Sequence, residues 1–406
     1  MDTPRPPRVL VVGPIAGGSL ETARSTARAC QAAGAETRLL DFSPFAGGMD
    51  AFARAGVSPA NRTRLRGELA KLLGEAVVAT ADEWRPDLML ALAQAPIGGS
   101  VCARLRAAGV KTAFWFVENH RVLRYWLQSA KHFDVFFAIQ DEPFLTQLRE
   151  AGAPKAIYLP TACDPERHAP VALTDEERRR FGAEISFAGA PYINRRRILL
   201  GLNDLAPRIW GEGWASTEVA HLAAEAGARF DLGEMMRIFS ASGINLNIHA
   251  ANHVEGLDPD PDYVNPRTFE LASCGAFQLV DRRQPLAALF AEGEIVTFES
   301  IAELRRLIAH FRSRHEERDA IAAKARARAL AEHSFVHRVR QIFEHTLPSQ
   351  LVPPVQAARP NEARSAGQPA GSNLADSIQR LERQSPKMTA DEAMLRVLQQ
   401  IAGDGR

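Results

Sequence analysis

The chain has 406 residues, long enough for two domains and a tail, and a formal net charge of only +1, which argues against a dedicated nucleic-acid binder. Its four cysteines, Cys30, Cys102, Cys163 and Cys274, stand far apart with no CxxC pair. That spacing indicates neither a zinc cage nor a disulfide framework and fits a reduced, cytoplasmic protein.

No apolar run approaches the ~20 residues that span a bilayer. The opening MDTPRPPRVLVVG has an acid and prolines where a signal peptide needs a basic end and an apolar run. Residues 8–12 read as a buried strand, followed by a loop with Gly13, Gly17 and Gly18, a helix to about Ala33, and a strand at 37–40. The glycines do not make GxGxxG, so the dinucleotide signal is weak, but the loop lets a ligand approach the backbone. Helix-rich sequence runs to Trp84. Strands are expected at 88–93, 111–117, 134–139 and 156–159, with helices between them. Such alternation predicts a parallel, doubly wound sheet whose ligands sit outside the carboxyl ends of the strands. That rule brings Gly17 and Gly18 toward the loop Glu118-Asn119-His120-Arg121.

Residues 161–170 resemble a linker, after which the pattern restarts. Strands are expected at 184–188, 209–214, 244–248, 276–280 and 295–298, with helices at 175–181, 194–205 and 230–241. Two more run to about His345. Asn265 suits a helix cap and Pro266 the first helical position, so NPRTFELASC reads as a helix that Gly275 stops. A helix start gathers unpaired N–H groups and suits phosphate, with Arg267 beside it and Glu270 one turn on. After Pro348, LVPPVQAARPNEARSAGQPAGS has a disordered composition, and 391–401 has apolar residues at helical spacing. The resulting division is 1–165, 166–347 and a tail, 348–406.

Tandem α/β domains with a phosphate-type helix in the second are the plan of a GT-B glycosyltransferase. The blocks WFVENHRVLRYW, YLPTACDPERH, ISFAGAPYINRR, IWGEGW, INLNIH and NPRTFELASCGAFQLVD occur in that order. On these blocks, residues 85–170 and 184–345 resemble the CgeB-like (spore maturation protein type) glycosyltransferases. Pro266 departs from the family's usual residue. The resemblance implies two Rossmann-like domains facing a central cleft, with a nucleotide-sugar donor (expected to be UDP-linked) in the C-terminal domain and the acceptor in the N-terminal one. It implies no metal or other cofactor, and an acceptor such as a protein or cell-surface glycan. The tail lies outside it and could serve a partner.

Glu270 is the first candidate donor residue, because an anion can accept two hydrogen bonds from vicinal ribose hydroxyls. Arg267 and Arg195 are candidates for the diphosphate, whose charge grows as it leaves. Arg195, Arg196 and Arg197 cannot all face one ligand, since successive helical positions diverge by about 100°. Gly17, Gly18, His249, Asn265, Thr268 and Phe269 complete the expected donor contacts, though a satisfied structural histidine is the plain alternative for His249. Glu118 and His120 are the candidate bases for the acceptor hydroxyl. The plain alternative pairs Glu118 with Arg121 or Arg124. A dedicated base favours inversion at the sugar carbon.

Asp258-Pro259-Asp260-Pro261-Asp262 lacks the Gly and Glu of a calcium loop and reads as a stiff exposed segment beside the acceptor cleft. Trp115, Trp126, Trp210 and Trp214 read as packing residues more readily than sugar platforms. Two rivals remain open: a nucleotide-sugar epimerase of the same plan, which needs no acceptor, and a non-catalytic binding module.

Overall fold

A computed structural model describes residues 5–353, which form two parallel sheets. The first contains β1 (Arg8–Val12), β2 (Glu36–Leu40), β3 (Leu88–Leu92), β4 (Lys111–Phe116), β5 (Val135–Ala138) and β6 (Ala156–Tyr158), in the order β2-β1-β3-β4-β5-β6. The second contains β7 (Ala183–Ala188), β8 (Arg208–Trp210), β9 (Ser242–Asn247), β10 (Gln278–Asp281) and β11 (Val296–Phe298), in the order β11-β10-β9-β7-β8. The expected doubly wound arrangement is therefore observed twice.

The central strands are apolar on both faces because both faces are covered. In the first sheet Val9, Val11, Leu88, Leu90 and Leu92 pack toward one side, and Leu10, Val12, Met89 and Ala91 toward the other. This period of two splits each strand between two cores. One core receives the helices Pro59–Trp84 and Gly99–Ala107; the other receives Ser19–Ala32.

That second core also receives Phe335, Val339, Ile342 and Phe343 from the helix Phe335–Thr346. Chain order groups this helix with the second unit, but its apolar face belongs to the first. The chain therefore crosses between domains twice, and the crossings pair. The Cys163 N–H donates to the His333 carbonyl at 2.9 Å, and the Phe335 N–H donates to the Cys163 carbonyl at 2.9 Å. The buried Arg338 guanidinium donates to the Pro160 and Thr161 carbonyls at 2.9 and 3.2 Å. Burial lowers its pKa to about 10. Leu351 and Val352 lie against the same core. The expectations for the rest of the tail, including 391–401, fall outside the described residues.

The strand order reverses between β1 and β3 in one sheet and between β7 and β9 in the other. A crevice opens at such a reversal, outside the carboxyl ends of the strands. Here the two crevices share lining residues and form one interdomain cleft.

The Asp258–Asp262 segment is exposed only at Pro259 and Asp260, and its outer aspartates are tied down. Asp258 is buried beside Arg283 at 3.7 Å. Asp262 pairs with Arg121 of the first domain at 3.0 Å. Trp115, Trp126, Trp210 and Trp214 are buried, as expected of packing residues. Trp214 donates from its ring nitrogen to the Gly189 carbonyl at 2.7 Å.

Candidate functional site: a two-chamber cleft

The cleft has two chambers. The larger, about 590 Å³, lies mainly against the first domain and includes Gly17, Ser19, Gln94, Glu118, Asn119 and Leu123. The smaller, about 380 Å³, lies mainly in the second and includes Gly189, Leu232, Met235, Asn247, Arg267 and Glu270. Gly18, Thr22, Arg195, Asn265 and Pro266 line both. The volumes suit small organic ligands.

The wall between the chambers is built from a helix start and a cation. Asn265 caps the helix Pro266–Ser273, its Oδ1 accepting from the Thr268 N–H at 3.1 Å. Pro266 has no N–H and the cap occupies that of Thr268, so what the helix start leaves beside the cleft is its positive dipole. Arg195 stands beside it. Its Nε donates to the Ile248 carbonyl at 2.9 Å and one terminal nitrogen to the Ala190 carbonyl at 3.2 Å. The guanidinium lies over the rings of Phe187 and Tyr192, at 5.3 and 5.1 Å. Burial lowers its pKa to about 10, so it stays charged at neutral pH. Among the described residues it makes no ion pair with a carboxylate. Its neighbours resolve the arginine triplet: Arg196 pairs with Glu218 at 2.5 Å and Arg197 with Glu255 at 3.1 Å, both toward solvent.

Deeper in the smaller chamber, Arg267 and Glu270 form an (i, i+3) pair at 3.0 Å. Both side chains remain partly open, 23% and 17% exposed. Arg267 also lies over the Phe239 ring at 4.9 Å and contacts the Met235 sulfur. The other two predicted contacts from this helix are not in the cleft. Phe269 is fully buried against Phe290, at 5.9 Å. Thr268 is fully buried, its hydroxyl hydrogen bonded to Asn265 and Asn247. A helix turns successive residues away from one another, so only one side of this segment can line a ligand.

His249 is likewise behind the wall. Its Nε2 accepts from the Asn265 N–H at 2.8 Å, which assigns the proton to Nδ1, hydrogen bonded to Asp281 at 2.7 Å. Both ring nitrogens are used, so His249 holds the cap rather than a ligand. Burial lowers its pKa to about 4, against the pull of Asp281.

In the larger chamber Glu118 projects from the end of β4. It accepts from Ser19 Oγ at 3.0 Å and Gln94 Nε2 at 2.8 Å. No arginine pairs with it among the described residues, because Arg121 is taken by Asp262. Burial raises its pKa, opposed by its two hydrogen bonds. His120, two residues on, is turned inward. It stacks on Phe144 at 4.1 Å, is 7% exposed, and lines neither chamber. Burial lowers its pKa to about 4. Gly17 takes a left-handed turn (φ 104°), and open space lies where Gly18 would carry a Cβ.

The sequence reading passed over Ser19, Gln94, Tyr192 and His168. Ser19 adjoins the glycine loop and Gln94 follows β3, so the strand-end rule would have reached both. Gln94 sits at φ 65°, unusual for a residue with a side chain, and its N–H is held by the Tyr125 hydroxyl at 3.0 Å. Among the described residues no group of three or more His, Cys, Asp or Glu is placed to hold a metal ion.

Residues 195–344 match the family described as glycosyl transferase-like. No curated protein matches the chain. Among solved structures, sucrose-phosphate synthase from Thermosynechococcus elongatus superposes with a TM-score of 0.56 at 15% identity, over 84% of this chain and 98% of that one. Anabaena HepE, solved with UDP and glucose, gives 0.55 at 14% identity over 84% and 99%. A UDP-N-acetylglucosamine 2-epimerase gives 0.51 at 9% identity over 84% and 96%. The fold is GT-B, with a glycosyltransferase-like segment spanning most of the second domain.

Proposed function

We propose that the chain is a GT-B glycosyltransferase that binds a nucleotide-diphosphate sugar in the smaller chamber and a hydroxyl acceptor in the larger one. The observation that carries this reading is the junction itself: Arg195, with no carboxylate partner among the described residues, beside a helix N-terminus where the two chambers meet. A diphosphate there receives a forked cation and the positive end of a helix dipole. Glu270 then accepts the ribose hydroxyls, with Arg267 beside it. The sugar points past Arg195 toward Glu118. Glu118 takes the proton of the acceptor hydroxyl, whose oxygen bonds to the sugar carbon as the bond to the diphosphate breaks. The departing charge falls on Arg195 and the helix start, which need no metal to stabilise it.

UDP is the proposed nucleotide; the support is that HepE, of the same fold, was solved with UDP and with UDP-glucose. The CgeB-like assignment rests on the sequence blocks, and a protein or cell-surface glycan acceptor follows from it; a cytoplasmic location, read from the scattered cysteines, is part of the same proposal. No helix in the described residues is long and apolar enough to cross a membrane. An epimerase shares the fold, but a chamber of about 590 Å³ on the opposite domain, with a carboxylate at its wall, favours a second substrate.

Incubation with a panel of UDP-sugars tests the proposal through UDP release to water or to added hydroxyl acceptors. Release from one donor, with the sugar unchanged in configuration at its other carbons, is the expected result. Interconversion of two UDP-sugars without UDP release would establish the epimerase instead.

A further inference from the structure

The donor chamber contains a histidine to which neither the sequence reading nor the proposed mechanism gives a role, although it ends the block YLPTACDPERH. His168 lies on the crossing between domains, four residues after Asp164. It is 5% exposed and lines the smaller chamber with Arg267 and Glu270. Its Nδ1 accepts from the Asp164 N–H at 3.0 Å. A nitrogen that accepts cannot carry the proton, so in the neutral ring the proton sits on Nε2. The only ring hydrogen bond among the described residues is the one at Nδ1, so Nε2 is left without a partner in a residue that is almost wholly buried. Burial holds its pKa below the ordinary value, while the Glu270 carboxylate is near enough to pull the other way.

The ring is also held in place from outside. Asp164, which fixes its Nδ1, pairs with Arg28 at 2.7 Å. Arg167, beside it, pairs with Glu21 at 2.5 Å. Both partners belong to the helix Ser19–Ala32 of the first domain. A preset ring with an idle donor facing a cavity is arranged to meet an acceptor atom on a ligand. In a chamber whose deep end carries Glu270, that acceptor is a ribose oxygen. An anion takes hydrogen bonds from the ribose diol, and the diol oxygens have lone pairs left to accept one.

We propose that His168 is a donor-specificity residue whose Nε2–H donates to a ribose hydroxyl oxygen of the bound nucleoside diphosphate, opposite Glu270. The proposal rests on the placement of the donor in the smaller chamber. It makes the crossing segment part of the nucleotide site, so binding tightens the contact between the hinge and the first domain.

The test is a double cycle. Calorimetry measures the affinities of UDP, 2′-deoxy-UDP and 3′-deoxy-UDP for the wild type, His168→Ala and His168→Gln. His168→Ala should weaken UDP by about 3- to 10-fold, the worth of one ordinary hydrogen bond. It should cost much less with the deoxy compound that lacks the partnered oxygen, so the two losses do not multiply. His168→Gln, which keeps an N–H donor at similar reach, should restore most of the UDP affinity. Equal losses with all three ligands, or none with UDP, would overturn the role of His168 while leaving the donor chamber standing. Failure of the wild type to bind UDP would overturn both. A circular dichroism melt of each variant separates loss of contact from loss of fold.

Discussion

At the scale of single residues, the ionisable groups divide into those that face the cleft and those that hold its wall. Glu118 faces the larger chamber and, among the described residues, is held by two neutral donors, Ser19 and Gln94. Burial raises its pKa, so the folded state prefers the neutral acid. Its contribution to stability is therefore present at low pH and lost as pH rises through the folded pKa. A base with a raised pKa is also better matched to accept a proton near neutrality. Glu118→Gln removes the charge and keeps an oxygen for both donors. We expect it to lower sugar transfer by about 10²-fold or more, the usual share of a general base. Its melting temperature at pH 7 should be unchanged or higher; a clear fall would show that Glu118 is a structural anchor. Which strand-end residues face ligand was only partly legible in sequence. The chain order places Glu118 and His120 at one strand end, and His249 at another. Side-chain direction decides between cleft and interior, and Phe144 and Asp281, distant in sequence, fix the inward ones. Arg195 against Arg196 and Arg197 was decided in the same way, by Glu218 and Glu255.

At the scale of elements, strands and helices were legible because apolar runs, capping residues and stop glycines agree with one another. The helix Leu232–Ala241 begins at Asp231 with a full capping box, and Asp175–Phe181 at Thr174 with another. The helix Phe335–Thr346 was legible as a helix, but an amphipathic face does not say which core will receive it. Its docking on the first sheet makes it the second strap of the hinge. Phe343 is fully buried there, and Phe343→Ala should cost ~3–5 kcal/mol by the lost burial and the cavity left behind. Arg196→Ala, which breaks an exposed and solvent-screened pair, should cost far less. Chemical denaturation of both variants compares them, and equal effects would contradict the docking. The buried links of the Asp258–Asp262 segment were not legible because Arg121 and Arg283 are brought to it only by the tertiary fold.

At the scale of the whole molecule, two domains meet over a cleft and are tied by two chain crossings and by pairs such as Arg121–Asp262 and Arg167–Glu21. Among the histidines held neutral by burial are His120 and His249, each with a pKa lowered from 6.5 to about 4. Between those values the unfolded chain binds protons that the fold refuses, so stability falls as pH drops from about 6.5 toward 4. Denaturant midpoints measured at pH 7 and pH 5 should show a lower midpoint at pH 5, and an equal or higher one would contradict neutral burial of these rings. The division of labour across the cleft rests on the nucleotide lying in the second domain. Calorimetric titration of UDP into the wild type and Glu270→Ala tests that placement most directly. Loss of an anion that accepts two ribose hydroxyls should weaken UDP by at least about 30-fold, and although the variant also loses the Arg267 pair and should melt lower, its circular dichroism spectrum should stay that of the folded wild type. Equal UDP affinity in the two proteins would contradict the assignment of the smaller chamber as the donor site.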